Sequence, residues 1–499
     1  MKKLKNLLKW LDKHILSILV GIFIFLIPLY PKLPIRMINY TYIALRLEDL
    51  FMAFLFAVFF IQLVRKKVSL NTKFFILFVL FWAAVFLSAL INIFVTKEIV
   101  ISHLGILHAA RRVEYMGIFL IVFSIVKTKK QFLTYLSLIL FSLLLVNIYG
   151  VGQKFLGWPA VQTMNPEYAK GYLLFLTPEA RISSTFSGHY DLAAYLVFLL
   201  PIVTGFYFLK KKLYYFALAI FSIFILVLTA SRISYGAFVA SLFPFLLFLR
   251  KPKHFAILLA VTILFTLTSN NLTSRFKRTF QVKQIFVNQN TGQVVIPQKM
   301  SAKEVHAGSF YIGINKPIST NKQDQEALLK ERILDEIRSR ARFEGKKLTH
   351  EEENMLLASV EAKLKPINTV VSDISFSTRL QVEWPRAIQA FLKNPILGTG
   401  PSSITEATDN DYLRSLGEVG LLGSVLFFLI FLTIVKTILH SIKSLPENER
   451  PLYLGFLFGL LGLLLNAGYI DVFEASKVAF QFWLVAGLFI ASLQLKKAA

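Results

Sequence analysis

Cysteine is absent from the chain of 499 residues. No disulfide can form, and cysteine usage therefore carries no information about the redox compartment. The eight His residues are scattered along the chain, and no group of residues has the spacing of a zinc site. The sequence therefore offers neither a covalent cross-link nor a metal centre, and we expect no metal in the functional site.

Motifs for nucleotide and acyl chemistry are also absent. The chain has no Walker sequence, no nucleotide-binding GxGxxG and no GxSxG nucleophile elbow. The Gly repeat that comes nearest to such a motif consists of Gly455, Gly459 and Gly462. It is typical of close helix packing in a membrane and not of a phosphate loop. We therefore expect no cofactor.

Acidic residues are few. The chain has 29 Asp and Glu and 55 Lys and Arg, which gives a net charge of +26. In a soluble protein this balance would suggest nucleic acid. The chain is 55% hydrophobic, however, where soluble domains have about 45–50%. Because the excess is gathered into long apolar runs, the sequence predicts a multi-pass membrane protein that contacts membrane lipids and no nucleic acid.

A membrane span needs about 20 mostly apolar residues. Twelve segments qualify: 15–30, 47–64, 74–95, 113–126, 132–151, 192–209, 213–230, 233–249, 254–268, 420–438, 452–469 and 478–493. The fold class is thus an all-α integral membrane protein of about twelve transmembrane helices. The first segment follows five lysines and lacks a small-residue cleavage site, so we expect a retained signal anchor.

Basic clusters set the predicted orientation. If the segments alternate, the clusters at 65–67, 127–130, 210–212, 250–253 and 496–497 all fall on the side of the N-terminus. By the positive-inside rule, both termini are cytoplasmic and the protein lies in the plasma (inner) membrane. The predicted domains are a membrane domain at 1–268 with about nine spans, one large extracytoplasmic loop at 269–419, and a second membrane part at 420–499 with about three spans.

The middle of the large loop, 281–365, differs from the rest of the chain. Residues 281–299 are typical of a hairpin that turns at Asn290-Thr-Gly292. Residues 324–365 have the periodicity of two amphipathic helices, broken near Gly345 and Thr349. A solvated charged surface and a docking site for a partner or acceptor both remain open.

Ionisable side chains are concentrated next to the tenth apolar segment, within 377–423. They are Arg379, Glu383, Arg386, Asp409, Asp411, Arg414 and Glu418. Charges so close to hydrocarbon are costly unless they have partners or a function. Water-exposed charge beside the membrane is the alternative interpretation.

Three further groups of charged residues lie at predicted span ends. Arg232 lies in a hinge, 229–235, between two apolar segments, where it indicates either phosphate binding or a structural salt bridge. Arg181, His189 and Asp191 precede the sixth segment and could face one cavity, although a capped helix start explains them equally well. The groups at 46–49 and 111–114 are candidates for an anionic ligand or for lipid headgroups.

Segments 181–196, 229–240 and 379–423 together resemble the O-antigen ligase and polymerase superfamily of bacterial envelope glycosyltransferases. The third segment carries the closest resemblance, in three elements: 394–401 (NPILGTGP), 410–413 (NDYL) and 418–423 (EVGLLG). The number of apolar segments and the large loop after the ninth segment also match. The insertion at 281–365 has no counterpart.

The resemblance implies a GT-C-like membrane glycosyltransferase that works without a metal on the outer face of the membrane. The donor would be an oligosaccharide on a polyprenyl diphosphate carrier, and the acceptor a glycan, lipid or protein. Family arginines that hold the diphosphate correspond to Arg232, Arg181 and Arg379. Asp409 stands where the ligases have a His, and because polymerases can also lack that His, both reactions remain open.

Direct displacement at the sugar needs a base within hydrogen-bond reach of the acceptor hydroxyl. Asp409 is the first candidate, and Glu418, Asp411 and His189 are rivals. Asn410, Tyr412 and Asp191 would position donor and acceptor. Displacement of this kind inverts the anomeric configuration.

Other classes of function fit part of the pattern. A flippase or transporter of lipid-linked glycans would use the same arginines but needs polar groups at mid-membrane, and Asn92, Asn147 and Gln481 are too isolated to provide a pathway. A cell-wall polymerase of the shape, elongation and division type lacks the 394–401 element. A non-catalytic envelope scaffold would use the insertion as its binding module.

Overall fold

A computed structural model describes most of the chain. The described residues are 2–37, 44–163, 168–177, 179–278, 280–288, 294–295, 348–361, 364–372, 378–404 and 408–495, with single positions at 330, 333–335, 337–338 and 341. By internal packing the chain divides into two units, residues 1–273 with 378–499, and residues 274–377.

Helices form most of the first unit, and the second unit contains part of the tenth helix and all of the eleventh. Their bounds are α1 (Lys2–Leu29), α2 (Leu47–Val64), α3 (Thr72–Phe94), α4 (Ser102–Ile125), α5 (Lys129–Phe155), α6 (His189–Lys210), α7 (Leu213–Thr229), α8 (Arg232–Phe248), α9 (Pro252–Thr268), α10 (Asn270–Arg278), α11 (His350–Glu361), α12 (Trp384–Lys393), α13 (Asp411–Ile442), α14 (Arg450–Ala467) and α15 (Ser476–Gln494). A π-turn at Arg379–Glu383 leads into α12. Two short strands, β1 (Pro34–Met37) and β2 (Ala44–Arg46), pair antiparallel before α2.

Eight helices in the described part of the chain are long and apolar enough to cross a membrane: α1, α2, α3, α5, α6, α13, α14 and α15. The apolar helices α7, α8 and α9 are shorter, with 17 residues each. Helix α4 carries a run of His, Arg and Glu in its first half. Each of the twelve predicted segments lies on a helix, apart from at most two residues at its end, which supports a mostly helical membrane fold and leaves the count of twelve spans as a prediction.

Helices α6 and α15 form the centre of the first unit. Every residue from Ser476 to Leu493 of α15 is buried, and so are most residues of α6. A helix that is apolar on all sides must be enclosed by other helices. The polar residues at the start of α6 and α15 are therefore held at one end of a tightly packed bundle.

Helix α14 packs against α6 with almost no space between the two backbones. A Cβ atom built on Gly459 would lie 2.3 Å from the carbonyl oxygen of Phe198, and one on Gly455 would lie 2.4 Å from that of Pro201. Small residues are what allow membrane helices to approach so closely. This confirms the packing role that the sequence predicts for the glycines of α14.

Because this contact is between backbones, one added methyl group should separate the helices. We expect Gly459→Ala to destabilise the purified protein by about 1–3 kcal/mol, the usual cost of overpacking, and to lower its Tm in detergent. Gly21→Ala is the matched control, since a Cβ there meets nothing within 4 Å. Equal Tm values for the two variants would contradict the close contact.

The second unit contains a three-stranded antiparallel sheet in the order β4–β3–β5. Strand β3 (Phe280–Asn288) pairs with β4 (Val294–Val295), with Phe286 opposite Val295, and along its whole length with β5 (Leu364–Ser372). The predicted hairpin at 281–299 is therefore confirmed, although its turn at 289–293 lies outside the described residues.

Helix α11 confirms the second predicted helix of the insertion and its break near Thr349. Thr349 caps the helix: its hydroxyl accepts from the Glu352 amide at 3.4 Å, and the Glu352 carboxylate accepts from the Thr349 amide at 2.8 Å. The prediction of helix up to position 365 was wrong, because 364–372 belong to β5. Most of the first predicted helix, with Gly345, lies outside the described residues.

Candidate functional site

The candidate site lies at one end of the bundle, where α6, α13 and α15 begin and α14 ends. Four chain segments meet there: 181–191 before and within α6, the π-turn at Arg379–Glu383, residues 395–420, and the loop 468–475 between α14 and α15. Hydrogen bonds within and between these segments hold the candidate residues in place.

Residues 395–400 are held against a break in α13. The amides of Thr399 and Gly400 donate to the carbonyls of Gly417 and Glu418 at 2.8 and 2.9 Å, and the Leu421 amide donates to the carbonyl of Pro395 at 2.8 Å. We call this paired region, 395–400 with 417–422, the clasp. It brings the two most characteristic sequence elements of the chain into direct contact.

Two glycines make the clasp possible. Gly420 interrupts α13 with φ +60°, and a Cβ there would lie 2.3 Å from the Ile396 carbonyl oxygen. Gly398 has φ +68°, and its Cβ would lie 2.5 Å from the backbone of Glu418. Since L side chains rarely adopt such a φ, any larger residue would be strained at either position as well as crowded.

Helix α3 fixes the clasp from the side. The Ser88 hydroxyl lies 2.6 Å from the carbonyl oxygen of Leu397 and 2.9 Å from that of Glu418, and the Asn92 amide donates to the Gly398 carbonyl at 3.1 Å. From the sequence we interpreted Asn92 as an isolated polar residue. That interpretation was wrong, because its partner lies about three hundred positions further along the chain, and the described contacts are structural.

Asp471 organises the backbone that carries Asp409. Its carboxylate accepts hydrogen bonds from three successive amides, those of Thr408, Asp409 and Asn410, at 2.9, 3.1 and 3.0 Å. Asp409 itself has φ +51°, a left-handed conformation that costs a non-glycine residue about 1–2 kcal/mol. The three hydrogen bonds hold this conformation in place.

Asp411 makes the reciprocal contact. Its carboxylate accepts from the amides of Val472 and Phe473 at 2.7 and 3.2 Å. Each loop thus supplies a carboxylate to the backbone of the other. Because Asp411 is buried and occupied in this way, the geometry gives it a structural position and not that of an accessible base.

Asn410 caps α13. Its side-chain oxygen accepts from the amides of Tyr412 and Leu413 at 3.1 and 3.0 Å, and its NH2 group donates to the Gly468 carbonyl at 3.0 Å. Tyr412 is half exposed, and its hydroxyl donates to the Leu464 carbonyl at 2.7 Å. Both side chains therefore join the start of α13 to the end of α14.

A chain of buried ion pairs lies beneath these loops. Arg112 of α4 donates to Glu474 at 3.1 Å and to Glu418 at 2.5 Å, and Arg414 donates to Glu418 at 3.3 Å and to Asp471 at 2.9 Å. We call these five residues the buried ion network. From the sequence we predicted that Arg112 binds an anionic ligand or lipid headgroups. That interpretation was wrong, because two carboxylates of the protein bind its guanidinium.

Glu418 lies at the centre of this network and is fully buried. One of its oxygens also accepts from the Ser402 amide at 3.2 Å. Glu474, which shares Arg112 with Glu418, lies in the loop between α14 and α15. Burial acts to raise the pKa of Glu474, but the charges of Arg112 and Arg414 outweigh it and lower that pKa below its ordinary value. Glu418 therefore lies near the site, as predicted, but its carboxylate is not accessible to a substrate.

Arg379 and Asp409 form an ion pair at the surface of this framework. Arg379 is buried, whereas a quarter of the Asp409 side chain remains accessible. Burial raises the pKa of Asp409 to about 7, Arg379 counteracts this rise, and the negative charges of Asp471 and Glu383 add to it. Its carboxylate is thus within reach of solvent and poised to exchange a proton near neutrality.

Tyr190, the second residue of α6, links the arginines. The guanidinium carbon of Arg181 lies 5.7 Å from the centre of the Tyr190 ring, and that of Arg379 lies 5.8 Å from it. Arg379 also lies over the Tyr469 ring, at 4.3 Å. His189 is buried next to Tyr190, with the two ring centres 4.1 Å apart. The structure thus brings Arg181, His189, Arg379 and Asp409 together.

The segment that carries Arg181 and His189 is held from three sides. The buried Lys477 of α15 donates to the carbonyls of Tyr30 and Thr185 at 2.7 and 2.6 Å. Gln153 of α5 accepts from the Ser184 amide and donates to the Ser184 carbonyl, each at 2.7 Å. Asp191 accepts from the Ser187 hydroxyl at 2.5 Å and so stabilises the start of α6.

Arg232 begins α8, two residues after the left-handed Ala230 that caps the end of α7, which confirms the predicted hinge. Ser234 accepts from the Ser231 hydroxyl at 2.9 Å and donates to Asn466 at 2.7 Å. Asn466 is three residues before Tyr469, so the hinge is attached to the end of α14 that borders the site. The Arg232 side chain is half-buried there.

Sequence patterns did not single out Asp471, Glu474, Tyr190, Tyr469 or Lys477. The available signal was the loop Tyr469-Ile-Asp-Val-Phe-Glu474, which places two carboxylates between the last two apolar segments. Within the part of the chain that the structure describes, no group of three or more His, Cys, Asp and Glu residues could hold a metal ion.

The fold and the site together define a class: a multi-pass helical membrane protein with arginines and carboxylates gathered at one end of its helical bundle. Residues 217–428 match the family model described as O-Antigen ligase. This match supports the resemblance to the O-antigen ligase and polymerase superfamily that the sequence motifs indicate. The match includes Arg232, Arg379 and Asp409, whereas Arg181 precedes it and Asp471 follows it. No curated protein matches the chain.

If Asp471 holds the backbone at 408–410, its negative charge should stabilise the folded protein even when no substrate is bound. We expect Asp471→Asn to lower the stability of the purified protein by about 1–3 kcal/mol, because the NH2 group that replaces one carboxylate oxygen cannot accept from the backbone amides or from the buried Arg414. Amide hydrogen exchange at 408–410, followed by mass spectrometry, should become faster. Asp12→Asn, which alters an accessible ion pair with Arg65, is the control. Unchanged exchange at 408–410 would count against this role.

Proposed function

We propose that the chain is an extracytoplasmic glycosyltransferase that moves an oligosaccharide from a polyprenyl diphosphate carrier to an acceptor hydroxyl. The acceptor is a glycan, lipid or protein, and ligase and polymerase reactions both fit the site. The observation that carries the proposal is the Arg379–Asp409 pair beside Arg181, which places a phosphate-binding group next to an accessible carboxylate.

The proposed topology has twelve spans, formed by the eight long apolar helices together with α4, α7, α8 and α9. Both termini are cytoplasmic, and the site opens on the outer face of the plasma (inner) membrane. The support is the distribution of Lys and Arg, which are concentrated at the opposite ends of the helices. The lipid tail of the donor would lie between helices, and its diphosphate at the membrane surface.

Arg379, Arg181 and Arg232 bind the diphosphate in this proposal. A guanidinium presents a rigid fork of donors that matches phosphate oxygens. Several arginines neutralise the charge that develops on a departing diphosphate, so the proposed transfer needs no metal. The buried positions of Arg379 and Arg181 strengthen this effect, because charges interact more strongly away from water.

Asp409 acts as the base. The acceptor oxygen forms a bond to the anomeric carbon, the bond from that carbon to the diphosphate oxygen breaks, and the hydroxyl proton passes to the Asp409 carboxylate. Polyprenyl diphosphate leaves, and the anomeric configuration inverts. Aspartate is normally a weaker base than the His of the ligases, but burial raises the pKa of Asp409 to about 7 and removes most of that difference.

Donor binding would itself activate this base. In the free protein Arg379 counteracts the rise that burial causes in the pKa of Asp409. A diphosphate that draws the guanidinium to itself removes this influence, so the carboxylate takes up a proton more readily. The ion pair thus couples occupation of the donor site to readiness for proton transfer.

Asp409 is preferred over its rivals on geometry. Glu418 and Asp411 are buried and already hydrogen-bonded within the protein. His189 is buried next to Tyr190, on the side of the arginines. We assign Asn410, Tyr412 and Asp191 to positioning, since they fix the starts of α13 and α6 from which the reacting groups project.

The donor site can be tested without knowledge of the sugar. We expect Arg379→Ala to weaken binding of polyprenyl diphosphate to the purified full-length protein by about tenfold or more, in line with the strength of charge-assisted hydrogen bonds. Arg65→Ala removes an arginine from another Arg–Asp pair and should leave binding unchanged. Equal affinity in the two variants would remove the proposed donor site.

The base can be tested by the pH dependence of transfer. Because the carboxylate must be deprotonated to accept a proton, kcat/KM should rise with pH up to about 7 and level off above it. Asp409→Asn should abolish transfer, and Asp409→His should restore part of it, with the rise near the pKa of an ordinary His at about 6.5. A profile in Asp409→Asn like that of the parent protein would exclude this base.

A further inference from the structure

The ring of Tyr190 lies between two guanidinium groups that reach it from unconnected parts of the chain. Arg181 belongs to the segment before α6, and Arg379 follows the insertion. Both guanidinium carbons lie within 6 Å of the ring centre, so they are no more than 11.5 Å apart. Both arginines are nearly fully buried.

Two buried guanidiniums that contact one ring repel each other, and each has given up much of its hydration. The negative face of an aromatic ring attracts a cation, and one ring can offset part of this cost for both arginines. A guanidinium contacts the face of a ring without a hydrogen bond, so this contact itself uses none of the N–H donors of either arginine.

The ring has a fixed position. Tyr190 lies at the start of α6, directly after the segment that Lys477 and Gln153 hold to α1, α5 and α15. The Tyr469 ring, whose centre lies 4.3 Å from the Arg379 guanidinium carbon, belongs to the loop that carries Asp471. The two rings thus limit where the Arg379 side chain can go.

We propose that Tyr190 is a positioning residue of the donor site, which holds Arg181 and Arg379 at the separation that lets them bind the two phosphates of one diphosphate. This inference rests on the proposed function. It adds a source of specificity: a carrier with a diphosphate engages both arginines, whereas a carrier with a monophosphate engages only one of them.

The test compares the affinities of polyprenyl diphosphate and polyprenyl monophosphate for the purified full-length protein. We expect Tyr190→Leu to weaken diphosphate binding about tenfold, which is within the range of cation–π contacts, and to change monophosphate binding much less. Tyr190→Phe keeps the ring and should retain the parent preference. Tyr214→Leu is the matched control. Tyr214 is an exposed tyrosine at the start of α7, outside the segments that form the candidate site, and its replacement should leave both affinities unchanged.

A second series keeps the size and packing of the side chain. Phenylalanines with increasing numbers of ring fluorines at position 190 weaken the negative face of the ring. Affinity for the diphosphate should fall stepwise with fluorination while the Tm stays constant. A purely structural role for Tyr190 would leave affinity flat across this series and would overturn the proposal.

The arginine variants distinguish the two proposals. If Arg181→Ala and Arg379→Ala weaken diphosphate binding but Tyr190→Leu does not, the role of Tyr190 is wrong and the donor site stands. If neither arginine variant weakens binding, the proposed function fails, and the role of Tyr190 fails with it. If Tyr190→Phe is as weak as Tyr190→Leu, the hydroxyl and not the ring is responsible, which also overturns the proposal.

Discussion

Charges that lie out of water must find their partners within the protein, and this constraint governs the site. The energetic cost of a buried, unpaired ion is several kcal/mol, yet this chain buries Arg112, Arg414 and Glu418 beside its membrane helices. They are tolerated because each has a partner of opposite charge at hydrogen-bond distance. The network in turn fixes α4, α13 and the loop between α14 and α15 relative to one another, and the reacting groups are built on that framework.

The framework separates two kinds of charged residue that look alike in the sequence. Glu418 and Arg414 are enclosed and hold the structure, whereas Asp409 lies at its edge, with a quarter of its side chain accessible, and pairs with the buried Arg379. The clasp explains why glycines accompany both kinds. It lets residues 395–400 run along α13 at backbone distance and so brings Ser402 to Glu418.

The positions of the helices and the segments that form the site could be predicted from the sequence, because apolar runs and turn residues are local signals. The clasp partners and the sheet partner of β3 could not, because those pairings join distant parts of the chain. Asp471 was missed for the same reason: its function depends on amides about sixty positions earlier. Asn92 was misjudged because a polar residue in an apolar helix does not reveal its partner. The count of spans stayed open where helices are short or charged.

The exchange of carboxylates between Asp411 and Asp471 has a consequence for engineering. Each loop completes the hydrogen bonding of the other, so neither is a self-contained module. A chimera that takes 408–413 from a relative and keeps the native 468–474 would combine halves shaped for different counterparts. A graft in this region therefore needs both loops together, and the smallest transferable piece of this site is discontinuous in sequence.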